Sequence, residues 1–171
     1  YTADESICGV GGRIIESAAR TVPPGRIGCF GAMMEPVGNF HLCPSEPCDV
    51  EHLRGCNFSF RRNWLQQVGW FHDGYRGWCL RDDTDICLTL RSHGGRLVFQ
   101  PRAVVRHLAA PQQSFSRNTY SPRWAYVGGR WHSYFMLRHG RNCPSQLLRY
   151  LAVETVLEPL RILRQAAKRG L

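Results

Sequence analysis

The sequence predicts an α/β fold. Strand-type and helix-type segments alternate through the middle of the chain. Of 171 residues, 43% are hydrophobic, enough to bury one core. Toward the C-terminus the apolar spacing turns helical, with no internal repeat or low-complexity tract.

Each element follows from its residues. Residues 7–15, ICGVGGRII, read as a buried strand interrupted by glycines. Pro23-Pro24-Gly25 reads as a turn. Residues 31–49 are rich in Gly, Pro, Ser and Asn and predict a long excursion with little regular structure, a kind of loop that is often functional. Residues 52–60, HLRGCNFSF, predict a strand with Leu53, Phe58 and Phe60 as its apolar residues. Residues 61–68 predict a short helix closed by Gly69, followed by the aromatic loop WFHDGYRGW. A second helix is expected over 83–93, where Ile86 and Leu90 are i,i+4 partners beside Cys87 and Gly94-Gly95 ends it. Residues 96–100 and 103–107 read as two short strands separated by Pro101. Beyond Pro122, Trp124, Tyr126, Trp131, Tyr134 and Phe135 follow a helical period up to Arg138, weakened at Gly128-Gly129. A longer helix is expected over 145–168, with Val153, Leu157, Leu160 and Leu163 in one stripe and a kink at Pro159.

Composition narrows the function. The 22 Lys+Arg against 13 Asp+Glu give a net charge of +9, almost all of it arginine, since Lys168 is the only lysine. Such a surface suits phosphate-bearing small molecules, anionic headgroups or nucleic acid. The arginines are scattered, with mild clusters at Arg61-Arg62 and from Arg161 to Arg169, so nucleic acid is not the expected partner. No apolar run reaches the roughly 20 residues of a membrane span. The basic, amphipathic last helix fits packing against its own domain or peripheral contact with a membrane. No signal peptide is visible and the first residue is Tyr1, so the chain reads as a piece of a longer protein.

The 8 cysteines have no regular spacing, and several lie in apolar stretches, which predicts reduced thiols in a cytosolic protein. His41, Cys43, Cys48 and His52 form an H-x-C-x4-C-x3-H pattern of zinc-ligand types. Against zinc stand the absent CxxC knuckle and the irregular Pro-rich surroundings.

The most pointed feature is the run Asp82-Asp83-Thr84-Asp85, three acids in four positions just where a helix starts. Acids there meet the positive end of the helix dipole and can cap it. A carboxylate in that place can also act as a base. The two readings are compatible.

Around this run stand Gly55-Cys56-Asn57-Phe58-Ser59-Phe60-Arg61-Arg62, then Gly69-Trp70-Phe71-His72, Asp82-Asp83-Thr84-Asp85-Ile86, Arg91, Gly94, Pro101 and His107. In order and spacing this set resembles the C-terminal half of a family 2 glycosyltransferase of GT-A fold, over about residues 50–110. The resemblance implies the C-terminal part of a GT-A mixed sheet flanked by helices at 1–110, the acceptor side, and a helical C-terminal extension at 111–171. It implies inverting transfer of a sugar from a nucleotide-diphosphate sugar to a glycan or lipid-linked acceptor, with Mg²⁺ or Mn²⁺ as cofactor. Asp83 falls on the family's base. Asp82 stands where the family usually has Glu and would orient the acceptor. Gly55 and Asn57 match the strand that lines the sugar site, and Arg61 belongs with them as substrate-binding. Trp78 stacks on an acceptor ring or packs in the core. His107 completes metal coordination or bonds to backbone at a strand end. His72 replaces the family's usual Asp.

Asp83-Thr84-Asp85 does not read as the metal-holding D-x-D, because no apolar strand precedes it and a helix follows. That motif, with the nucleotide-binding half, is expected upstream of this chain. The implied setting is the cytoplasm, peripheral on the inner face of a membrane. The alternative reading is a non-catalytic sugar- or zinc-binding module.

Overall fold

The computed structural model describes residues 1, 4–16, 25–76, 80–108, 122–140 and 144–153, with side chains of the helix that starts at Pro122 described from residue 126. Pro23-Pro24, Trp78, the side chain of Trp124, and Leu157, Pro159, Leu160 and Leu163 of the expected last helix lie outside the described residues.

The architecture is mixed α/β. A sheet of four strands runs in the order β4-β6-β1-β5, built from β1 (Ile7–Glu16), β4 (Cys48–Val50), β5 (Phe58–Phe60) and β6 (Arg96–His107). The long strands β1 and β6 are parallel, while β5 and β4 pair antiparallel on their outer sides. Parallel neighbours need a crossover, and α1 (Arg62–Val68) and α2 (Asp82–Ser92) lie in the intervening chain. A small antiparallel pair, β2 (Cys29–Phe30) with β3 (Pro36–Val37), sits in the Gly- and Pro-rich excursion. Helices α3 (Pro122–His139) and α4 (Pro144–Ala152) follow the sheet.

The helices end where the sequence predicts. Gly69 closes α1 at φ 79°, a left-handed conformation that glycine adopts without a Cβ clash. Gly94, at φ 91°, follows the His93 end of α2. The apolar face of α2, Ile86, Cys87 and Leu90, buries against Cys8 and Ile14 of β1, Leu97 and Phe99 of β6, and Val50, Leu53 and Phe40. The cysteines Cys8 and Cys87 are fully buried and behave as small core hydrophobes.

Two strand expectations need correction. Over 52–60 only Phe58–Phe60 pairs as a strand. Before it the chain turns, with Asn57 N–H bonded to the Arg54 carbonyl at 3.0 Å, while Leu53 enters the core and its N–H points at Cys87 Sγ, 3.3 Å away. Apolar character there reflects burial of a loop, not sheet pairing. Residues 96–107 form one strand instead of two. Its register against β1 jumps from Gly12↔Gln100 to Arg13↔Val104, so Pro101, Arg102 and Ala103 form a bulge. Proline lacks the N–H a regular ladder needs, and the bulge absorbs it without ending the strand. Gly12 makes this possible: a Cβ there would sit 1.9 Å from the Ala103 carbonyl oxygen.

A second core lies on the other side of α2. Met34, Phe135, Met136 and Tyr150 are buried together, with Phe30, Met33, Leu88 and Leu147 packed around them. The described parts of α3 and α4 therefore share a core with the β2–β3 excursion and α2. Gly128-Gly129 does not break α3, which runs through both.

Candidate active site

The site forms where the Arg54–Asn57 turn meets the start of α2. The backbone of Arg81 is left-handed, φ 95°, so the chain enters the helix sharply and three acids fall in its first turn. Asp83 is half-buried and held from both sides. Its Oδ2 accepts the Gly55 N–H at 3.0 Å, and its Oδ1 accepts the Thr84 N–H at 2.8 Å and the Thr84 hydroxyl at 3.2 Å. Gly55 thus meets the predicted base through its backbone. Charge-assisted bonds of this kind fix a carboxylate's direction. Asp82 is also half-buried, and burial and then the neighbouring Asp83 charge raise its proton affinity above the usual carboxylate range.

Asn57 and Arg61 are drawn into the frame. The Asn57 amide nitrogen donates to the carbonyls of Arg13 at 3.1 Å and Ala103 at 2.9 Å, clamping β1 to the β6 bulge. An amide NH₂ has two hydrogens, and both are used. The Arg61 guanidinium donates to the carbonyls of Ile7 at 2.8 Å, Asp4 at 3.0 Å and Tyr1, and lies over the Tyr1 ring. It ties the N-terminal segment to the start of α1. His107 is exposed at the end of β6, opposite Glu16 in the register.

The third acid was missed by sequence reasoning as anything but a helix-start residue. Asp85 is 2% exposed, and its Oδ1 accepts from Arg138 Nε at 2.8 Å, His139 Nε2 at 2.6 Å and the Tyr75 hydroxyl at 3.1 Å. Burial opposes its ionisation. The His139 hydrogen bond and charge, then Arg138 and Tyr75, outweigh it and hold the carboxyl below its usual range. The same burial and the Asp85 charge push the Tyr75 phenol up. No local signal in the sequence joins Asp85 to residues more than 50 positions away; the pairing exists only once α3 docks on α2.

The zinc-type pattern of His41, Cys43, Cys48 and His52 does not converge in space. Among the described residues no group of three or more His, Cys, Asp or Glu side chains is placed to hold a metal ion. His41 and Cys43 are exposed, whereas His52 is buried, its Nε2 3.3 Å from the Val37 carbonyl and its ring edge-on to Phe40. Burial lowers the proton affinity of His52 and leaves it a neutral core residue. The pattern in sequence brings no convergence in space because β4 carries Cys48 into the sheet while His41 stays outside it. The same holds for the expected metal role of His107: the described residues do not form a cation site around it.

No protein-family model and no curated protein matches the chain. Among solved structures, one of GalNAc-T7 with UDP, GalNAc and Mn²⁺ is similar at TM-score 0.47 and 18% identity, over 78% of this chain and 28% of that one. The chain spans less than a third of that protein's length. A likeness of this size carries no weight for chemistry, which rests on the residues described above.

Proposed function

We propose that this chain is the acceptor-side part of an inverting glycosyltransferase of GT-A type, using a nucleotide-diphosphate sugar and a glycan or lipid-linked acceptor. The observation that supports it best is the placement of Asp83: a half-exposed carboxylate at a helix start, aimed by the Gly55 N–H on one oxygen and by Thr84 on the other. In this reading Asp83 takes the proton of the acceptor hydroxyl as that oxygen attacks the anomeric carbon. The bond from the anomeric carbon to the diphosphate oxygen breaks, and the nucleoside diphosphate leaves. Asp82 orients the acceptor.

A second assignment exchanges the two acids. The raised proton affinity of Asp82 favours it as the base, because a base that binds its proton more tightly removes one more effectively. The experiment is divalent-dependent nucleotide release by the intact protein over a panel of sugar nucleotides, with Asp83→Asn and Asp82→Asn beside wild type. Near-complete loss in Asp83→Asn alone assigns the base to Asp83. The reverse pattern assigns it to Asp82, and turnover intact in both reduces the acidic run to a cap. A requirement for Mg²⁺ or Mn²⁺ belongs to the same reading, with ligands other than the described residues completing the site; no step above depends on it. Peripheral attachment to the cytoplasmic face of a membrane is the corresponding proposal for location.

A further inference from the structure

Beside the acidic run lies a cation with one buried donor, the Nε of Arg81, that the described residues leave unmet. That Nε is buried and has no hydrogen-bond partner among the described residues. Three ionisable groups lie near it: Asp83, Tyr75 and Glu35. All three are directed elsewhere. Asp83 is bonded to Gly55 and Thr84, Glu35 accepts the Met33 N–H at 2.8 Å, and the Tyr75 hydroxyl donates to Asp85. Burial lowers the proton affinity of Arg81, but a guanidinium stays charged at neutral pH.

On the facing helix α3, His132 has the complementary defect. Its Nε2 lies 3.2 Å from the Met33 carbonyl, and its Nδ1 is buried without a partner. A carbonyl only accepts, so Nε2 carries the hydrogen and Nδ1 is left as a bare acceptor. Burial and then the charge of Arg81 lower the proton affinity of His132 to about 4, which keeps the ring neutral at pH 7. The two residues interact and share Glu35 as a neighbour. In packed proteins such buried donors and acceptors are mostly met, by protein, by ordered water or by a ligand.

We propose that Arg81 and His132 form a ligand-binding pair for a sugar phosphate, with the Arg81 guanidinium on a phosphate oxygen and His132 Nδ1 accepting a hydroxyl hydrogen. A sugar phosphate offers both an anionic oxygen and hydroxyls, whereas a simple carboxylate meets Arg81 alone. This rests on the glycosyltransferase reading for its choice of ligand class. Two sources share the chemistry: the nucleotide-diphosphate sugar and a lipid diphosphate sugar.

The test is isothermal titration of the intact protein with a nucleoside-diphosphate hexose, a short-chain prenyl-diphosphate hexose and a methyl hexoside. Arg81→Met should weaken binding of the phosphate-bearing probe at least tenfold, and Arg81→Lys should recover part of it. His132→Phe should weaken it several-fold. Thermal unfolding of each variant checks the fold, and Arg81→Lys, which keeps the charge, carries the test if Arg81→Met is unfolded. Whichever phosphate-bearing probe depends on Arg81 identifies the source. Binding unchanged in a folded Arg81→Met, or no binding of either phosphate-bearing probe by wild type, overturns the proposal. The glycosyltransferase reading fails separately: Arg81-dependent binding without turnover on any donor defeats that reading alone. Turnover lost in Asp83→Asn with binding indifferent to Arg81 defeats this inference alone.

Discussion

Replacing Asp85 by Asn should unlock α3 from α2. In the native protein one carboxylate oxygen takes hydrogen bonds from Arg138, His139 and Tyr75, at 2.8, 2.6 and 3.1 Å. The Asn side chain keeps the size but loses the charge. Breaking a buried ion pair from one side costs about 3–5 kcal/mol. The lower end applies here, because the Arg138 side chain is 33% exposed and can regain water, although that of His139 is only 12% exposed. A loss of about 3 kcal/mol lowers the melting temperature of a chain this size by about 6–12 °C. The assay is thermal unfolding at pH 7 followed by near-UV circular dichroism, which reports the aromatic packing of Tyr75, Trp131 and Tyr134. The sign with pH follows from the lowered Asp85 carboxyl. Its stabilisation is complete above the ordinary Asp range near about 3.9 and is lost as pH falls through the lower folded value. Wild type should therefore lose stability in acid over a window that Asp85→Asn does not share. A melting shift under about 2 °C, or identical acid profiles, would refute the idea that this network holds the helix pair together.

Other consequences can be checked directly. Gly12→Ala should destabilise by about 1–3 kcal/mol or more, measured by urea unfolding, because the new methyl meets the Ala103 carbonyl rather than a side chain that can move. In Asp83→Asn the fold should survive, since the amide oxygen can still accept the Gly55 N–H, while nucleotide release falls by at least about 10²-fold, the lower range for removing a general base. Chelator should leave the melting temperature unchanged if, as the geometry indicates, His41, Cys43, Cys48 and His52 hold no structural zinc. For membrane attachment, Leu148 and Leu151 of α4 are exposed beside Arg149, and Leu148→Asp with Leu151→Asp should abolish flotation with anionic vesicles. Equal flotation of the double variant would remove α4 from that role.

Local information sufficed for much of the frame. The glycines that end α1 and α2, the apolar i,i+4 face of α2 and the buried strand 7–15 were all legible, because helix ends, helix faces and buried strands depend on residues close in sequence. The gathering of acid at the start of α2 was legible for the same reason. What each acid does was not, because burial and partners decide it. Asp83 meets Gly55 across 28 positions, Asp82 keeps its proton more tightly through burial, and Asp85 disappears beneath α3 to meet His139 across 54. Tertiary packing likewise joined two expected strands across Pro101, since Gly12 and Asn57 on other segments accommodate and clamp the bulge. It dispersed the zinc-like quartet, because ligand types close in sequence need a backbone that turns their side chains inward together. It also left Arg81 and His132 with buried polar atoms that no group among the described residues satisfies, a feature defined only when helices far apart in sequence pack together.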